Sequence, residues 1–281
     1  MPSMTTTTQA PKELGEIRPR VMGFEFDDSI PRHWVAGAAV PTAMGNALHL
    51  IFPMGERFFV RAVKHYADRI DDPQLRAQIK GFYAQEGRHA HEHEKVFAWL
   101  ERQGIGIRPF LAIYKKIAYA GIERISPHKL RLAATAALEH YTAIMAENAL
   151  KHGLLERVHP AMREMLVWHA CEEIEHKAVA YDVLQQVDGS YALRVAGMVV
   201  ATGTLIGFWV LGAAMLLRQE QGLTLRETLR QLRAAMQVNP LGRQVFARGL
   251  REYLRRDFHP WQTDNLALAR SHLERLERAA A

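Results

Sequence analysis

The stretch WHACEEIEHKAVAYDV, Trp168 to Val183, packs three carboxylates and two histidines into the eight residues from His169 to His176. Its surroundings have an apolar, helical pattern, so these groups either form a solvated face or point inward. Residues three apart on a helix differ by about 60° and lie one above the other. Glu173 and His176, a Glu-x-x-His pair, can therefore aim an oxygen and an imidazole at one point. His169 stands one turn before Glu173 and extends the same stripe. Glu172 and Glu175 point off it and read as a solvated edge or as partners of the imidazoles.

Upstream, QEGRHAHEH (Gln85–His93) holds a second Glu-x-x-His in Glu86 and His89. His93 follows one turn later and reads as a supporting or surface residue. Two further helical stretches each place one glutamate among apolar neighbours: Glu56 in FPMGERFF and Glu139 in AALEHYTA. A glutamate in such a setting is costly to bury unless it is paired or bound to metal. The order Glu, Glu-x-x-His, Glu, Glu-x-x-His across four long helices is the inward-pointing pattern of ferritin-like carboxylate-bridged bundles. Four carboxylates cancel the charge of two divalent ions held a few ångströms apart, and imidazoles complete shells suited to iron or manganese. The expected ligands are Glu56, Glu86, His89, Glu139, His169, Glu173 and His176. The bland alternative makes these residues ordinary ion pairs, with Arg57, Arg88 and Lys177 as partners. His140, turned about 100° from Glu139, is not expected to ligate. Tyr83, Tyr141 and Tyr181 could line the site, though tyrosine on an apolar helix face is core by default.

Helical periodicity runs along the whole chain and strand signals are scarce. Pro41–Ile70 reads as one helix or two, with Pro53 kinking or restarting it. Helices are expected over Pro73–Gln103, Phe110–Ile125, His128–His152 and Pro160–Val187. An apolar segment follows, then basic stretches at Leu223–Val238 and Gly242–Arg256 and a last helix from Leu266. The expected fold is all-α: a ferritin-like four-helix bundle with a dinuclear metal site, plus a C-terminal apolar helix and basic helices. The corresponding division is a flexible tail (1–30), the metal-binding bundle (31–190), an apolar, membrane-associating helix (191–218) and a basic helical region (219–281).

The 48% apolar and 23% charged composition belongs to a globular chain and argues against disorder. Cys171 is the sole cysteine, which excludes a disulfide framework and a cysteine-based zinc site. The opening MPSMTTTTQAPKELGE lacks the apolar core of a secretory signal and reads as a frayed tail. The net charge of +6 is uneven: 12 Lys/Arg against 7 Asp/Glu from Arg218 onward. Just before this basic third, Val195–Leu217 runs 23 residues without a charge between Arg194 and Arg218, long enough to cross a bilayer. Its glycines equally suit a close-packed core helix. No groove-reading motif accompanies the basic tail, so nucleic acid is not expected and an anionic membrane surface is the better partner. The expected location is cytoplasmic, attached to or embedded in the inner membrane.

LEHYTA, WHACEEIEHKAVAYDV and the late DFHPW together resemble the bacterial family catalogued as predicted metal-dependent hydrolases, which belongs with the ferritin-like proteins. The resemblance runs from about Pro31 to Trp261. The ligand spacing is also similar to that of di-iron arylamine N-oxygenases. These carry a third histidine one turn before the last Glu-x-x-His, a place held here by His169. The expected function is a di-iron oxygenase that activates O2 to oxidise an apolar, lipid-like substrate, or an amine by analogy of ligands. It would carry two Fe ions, with Mn as the alternative, and would need an electron-donor reductase; a homodimer is compatible. The alternatives are a two-metal hydrolase and a non-catalytic ferritin-like iron binder.

Overall fold

The computed structural model describes residue 11 and residues 14–280, so most of the expected frayed segment lies outside it. Its helices are α1 (Ala39–Lys64), α2 (Pro73–Arg102), α3 (Arg108–Tyr114), α4 (His128–Lys151), α5 (Pro160–His176), α6 (Val179–Asp188), α7 (Tyr191–Leu217), α8 (Leu225–Val238), α9 (Arg248–Tyr253) and α10 (Leu266–Ala280). Among the described residues the only β contact is one antiparallel bridge, Val35 to Val158. The all-α expectation holds.

Local chemistry sets several boundaries. Asp72 caps α2 by accepting from the Gln74 amide at 2.8 Å, with Pro73 in the first turn where its missing N–H costs nothing. Ser190 and Thr224 cap α7 and α8 in the same way. α1 runs unbroken through Pro53. An interior proline costs about 3 kcal/mol, and the continuous buried face from Ala39 to Val63 outweighs it.

The stretch expected as one helix over Pro160–Val187 is interrupted at Lys177–Ala178 and becomes α5 and α6. The reason is Lys177, whose buried ammonium donates to the Thr263 carbonyl (2.6 Å) and Asn265 Oδ1 (2.7 Å) and lies over the Trp261 ring. The C-terminal segment thereby satisfies a cation that a straight helix would leave buried alone.

α1 packs along α2, and α4 along α5 and α6, closing a four-helix core; α7 lies against α1 and α4. Gly197 allows the α7–α4 approach, because a Cβ there would sit 2.4 Å from the Ala133 carbonyl carbon. Trp209 Nε1 donates to the Met44 carbonyl at 2.8 Å. One face of the apolar helix is thus core, while Val199 and Val210 on the other are 66% and 61% exposed. Arg194 does not flank it as a headgroup-binding cation: it is buried and bonded to Tyr181 and the Arg255 carbonyl.

Two further placements differ from the expected division. Residues 14–30 run over the bundle with Ile17, Phe24, Phe26 and Ile30 buried, and Gly81 of α2 passes directly beneath Ile17. The basic C-terminal region also joins the main core through Val245, Tyr253 and Phe258, and α10 packs on α5.

Candidate metal centre

Four helices deliver the expected residues to one place. Glu56 comes from α1, Glu86 and His89 from α2, Glu139 from α4, and His169, Glu173 and His176 from α5; all seven are buried. Their donor atoms form three overlapping triads, each within 4.8 Å: Glu56–His89–His169, Glu86–Glu139–His176 and Glu86–His89–Glu173. Glu173 sits between the others. Its Oε1 lies 3.0 Å from His169 Nε2 and 3.5 Å from both His89 Nδ1 and His176 Nε2. Glu56 Oε1 stands 3.7 Å from His169 Nε2, and His176 Nε2 is 3.0 Å from Glu86 and 3.5 Å from Glu139. Glu173 thus reaches both sides of the cluster, His169 on one and His176 on the other, while Glu86 lies with His176 and Glu139 and shares His89 with Glu173.

These atoms are left unsatisfied by the chain itself. Both oxygens of Glu56, Glu86 and Glu139, Glu173 Oε2, His89 Nδ1 and His176 Nε2 are buried without a hydrogen-bond partner. An uncompensated buried ion costs several kcal/mol, against a typical total stability of about 5–15 kcal/mol. The donor set therefore fits a cationic occupant, with carboxylate and imidazole ligands and no thiolate.

The bland alternative fails on its partners. Arg57 forms a bidentate pair with Glu94, and Lys177 turns to the C-terminal segment. No arginine or lysine among the described residues pairs with the central carboxylates.

A surrounding layer orients the imidazoles. His89 Nε2 meets Glu172 at 3.0 Å, which makes that nitrogen the donor and leaves Nδ1 facing the centre. Gln85 donates its amide to Glu175 (2.8 Å) and to the Arg18 carbonyl (3.1 Å), so its oxygen must accept from His176 Nδ1 at 2.8 Å. That leaves His176 Nε2 facing the centre. Arg20 bonds Glu172 through its amide and guanidinium and Glu175 bidentately. Of the two readings of Glu172 and Glu175, the imidazole-supporting one is correct for both: Glu172 directly and Glu175 through Gln85. His93 is fully buried, not a surface residue, and meets His169 Nδ1 at 3.1 Å and His49 Nδ1 at 2.7 Å.

The electrostatics express the same demand for positive charge. Burial and repulsion from Glu86 and Glu173 push the Glu56 carboxyl well up; burial likewise raises Glu139, only partly offset by His176. Burial works against a charged His89, yet its hydrogen bond to Glu172 and the nearby Glu173 carboxylate carry it up to about 9. His176 is raised by Glu173 and Glu139 against the same penalty. Burial, with His169 beside it, holds His49 neutral, down at about 3.

His140 is bonded to the Gly249 carbonyl and does not join the centre, as expected. Tyr141 bonds Thr202 of α7, and Tyr181 bonds the Phe258 carbonyl. Sequence reasoning passed over Gln85, Arg20 and His49. His49 was findable, lying two turns before Glu56 on one helix face; Arg20, in a stretch without periodicity, was not.

A family model described as "Predicted metal-dependent hydrolase" matches residues 18–264, nearly the whole chain. No curated protein and no solved structure matches.

Proposed function

The chain belongs to this family of predicted metal-dependent hydrolases, and from that premise we propose that it is a dinuclear metalloenzyme that uses O2 to oxidise an apolar substrate. The ions of this reading are two irons, with manganese as the alternative. The observation that carries it is the buried, thiolate-free cluster of four carboxylates and three imidazoles with orphaned donor atoms, opening on one side to an apolar cavity. When bound, the ions supply redox chemistry toward O2, with electrons from a reductase partner. Everything else falls to the chain. Glu172 and Gln85 orient the imidazoles so that His89 Nδ1 and His176 Nε2 face the centre. Phe52 meets His93 at a tilt and His169 edge-to-face and keeps water off that side. Glu56, with neither oxygen hydrogen-bonded, would be a ligand that the chain leaves free to turn.

Hydrolysis by two metals, through Lewis acidity toward water and a scissile group, is the second reading and fits the family description equally. The apolar character of the adjoining cavity favours oxidation. Elemental analysis of anaerobically purified protein, with optical spectra before and after O2, tests the proposal. About two irons per chain and a spectral change with O2 support it. Manganese or zinc with no response to O2 would favour hydrolysis, and iron oxidation without an organic product would favour a storage role.

The proposed location is the surface of an anionic membrane. Tyr191–Leu217 is long and apolar enough to span, but one face is committed to α1 and α4. The outward stripe Ala196, Val199, Gly203, Gly207, Val210 carries no charge, and Arg218 follows at its end. A helix so half-packed suits a membrane surface and not a crossing.

A further inference from the structure

The cavity beside the centre has its own character. Its volume is about 580 Å³, within the roughly 300–1,000 Å³ of ligand pockets. His169 and Glu173 form its inner end, and Met44, Leu48, Phe52, Met145 and Leu166 form its walls. α8 covers it. This amphipathic helix has no buried residue, yet eight of its fourteen positions, Arg230–Leu232 and Ala234–Val238, line the cavity. It is held by few bonds, among them Gln231 Oε1 accepting from the Val40 amide at 3.0 Å. At its C-terminal end, Asn239 accepts from Asn148 at 2.8 Å. Arg157, exposed and without an ion pair among the described residues, also lines the cavity, whereas Arg230 is taken by Glu227.

We propose that this cavity binds a single-chain amphiphile, its apolar chain running along Met44, Leu48, Phe52, Met145 and Leu166 toward Glu173 and its carboxylate head meeting Arg157. The inference rests on reading the centre as catalytic only for what happens at the inner end; binding itself is separable. The polar groups along the walls are already engaged, Thr142 Oγ1 with the Glu139 carbonyl and Trp34 Nε1 with Asn46, so the remaining polar residues of the lining lie at its inner end, on α8 and at Asn148 and Arg157. A chain fills such a shape by burying CH2 groups, each worth several-fold in affinity. An anionic head also matches the one cation of the lining that has no partner among the described residues.

The test is calorimetric titration of the metal-loaded, O2-free protein with decanoate and with decanol, alongside metal analysis. Decanoate should bind once per chain. Ala149→Trp and Ala235→Trp, which fill the cavity from α4 and α8, should weaken both ligands at least tenfold at unchanged metal content. Arg157→Gln should weaken decanoate about tenfold and leave decanol unchanged. Unaltered decanoate binding in both tryptophan variants, or none in the wild type at full metal content, overturns the proposal and leaves the catalytic reading standing. Normal chain binding in a wild type that holds no metal supports the cavity and overturns the catalytic reading.

Discussion

At the residue scale, the centre is a liability that the fold tolerates for its chemistry. Glu139 is wholly buried, with neither oxygen hydrogen-bonded, and burial drives its carboxyl toward the neutral form. Glu139→Gln should therefore raise the stability of the metal-free protein by about 1–3 kcal/mol. Iron should then stabilise the variant less than the wild type, for which saturation at about 100 Kd is worth about 2.7 kcal/mol. Thermal melts of both proteins with and without Fe(II) check both halves; a destabilised metal-free variant would contradict the orphaned carboxylate. Glu147 behaves oppositely. Burial opposes its charge, yet Lys151 and Arg248 Nη1 (2.8 Å) hold its carboxyl below the ordinary 4.5. A depressed carboxylate contributes stability above the unfolded-state value and loses it as pH falls through the lower folded one. The melting-temperature gap between wild type and Glu147→Gln should be constant near neutrality and shrink below about pH 4.5.

At the element scale, α7 has two unlike faces, and its glycines separate them. A Cβ at Gly197 would strike the Ala133 backbone at 2.4–2.5 Å, whereas Gly203 has nothing within 4 Å. Gly197→Ala should destabilise by about 1–3 kcal/mol through overpacking. Gly203→Ala should stabilise by up to about 1 kcal/mol through helix propensity. Denaturant melts of the pair decide this, and equal effects would mean that α7 is not seated on α4 in this register. α5 shows how little an element owes to local pattern alone. Its inward stripe His169, Glu173, His176 is plain from spacing, but its end at His176 is set by Lys177 reaching residues far along the chain.

At the scale of the whole molecule, the exposed stripe of α7 is the longest uncharged run among the open apolar faces, which also include Ile117 and Ile125. Leu225 and Leu229 of α8 add apolar surface, at 75% and 43% exposure. If these faces rest on a membrane, the protein should float with vesicles containing anionic lipid and separate from them at high salt or with neutral lipid. Val199→Glu with Val210→Glu should abolish flotation without loss of metal or helicity. Flotation unchanged by both charges would remove α7 from the contact.

The sequence alone determined the chemistry of the centre: two Glu-x-x-His pairs, two lone glutamates among apolar residues and His169 are local patterns, and helical spacing dictates that each set shares a face. It determined the all-helical fold for the same reason, since 3.6-residue periodicity is written within each segment. Only the tertiary structure decided what depends on distant chain segments meeting. Arg20 steadies Glu172 and Glu175 across some 150 residues. Gln85 fixes His176 from another helix, and His49 reaches His169 through His93. The apolar segment could not be divided into a core face and an open face from composition, because both faces are apolar; only packing against α1 and α4 distinguishes them. The cavity under α8 is likewise a property of how helices are placed, since a void has no residues of its own to be read.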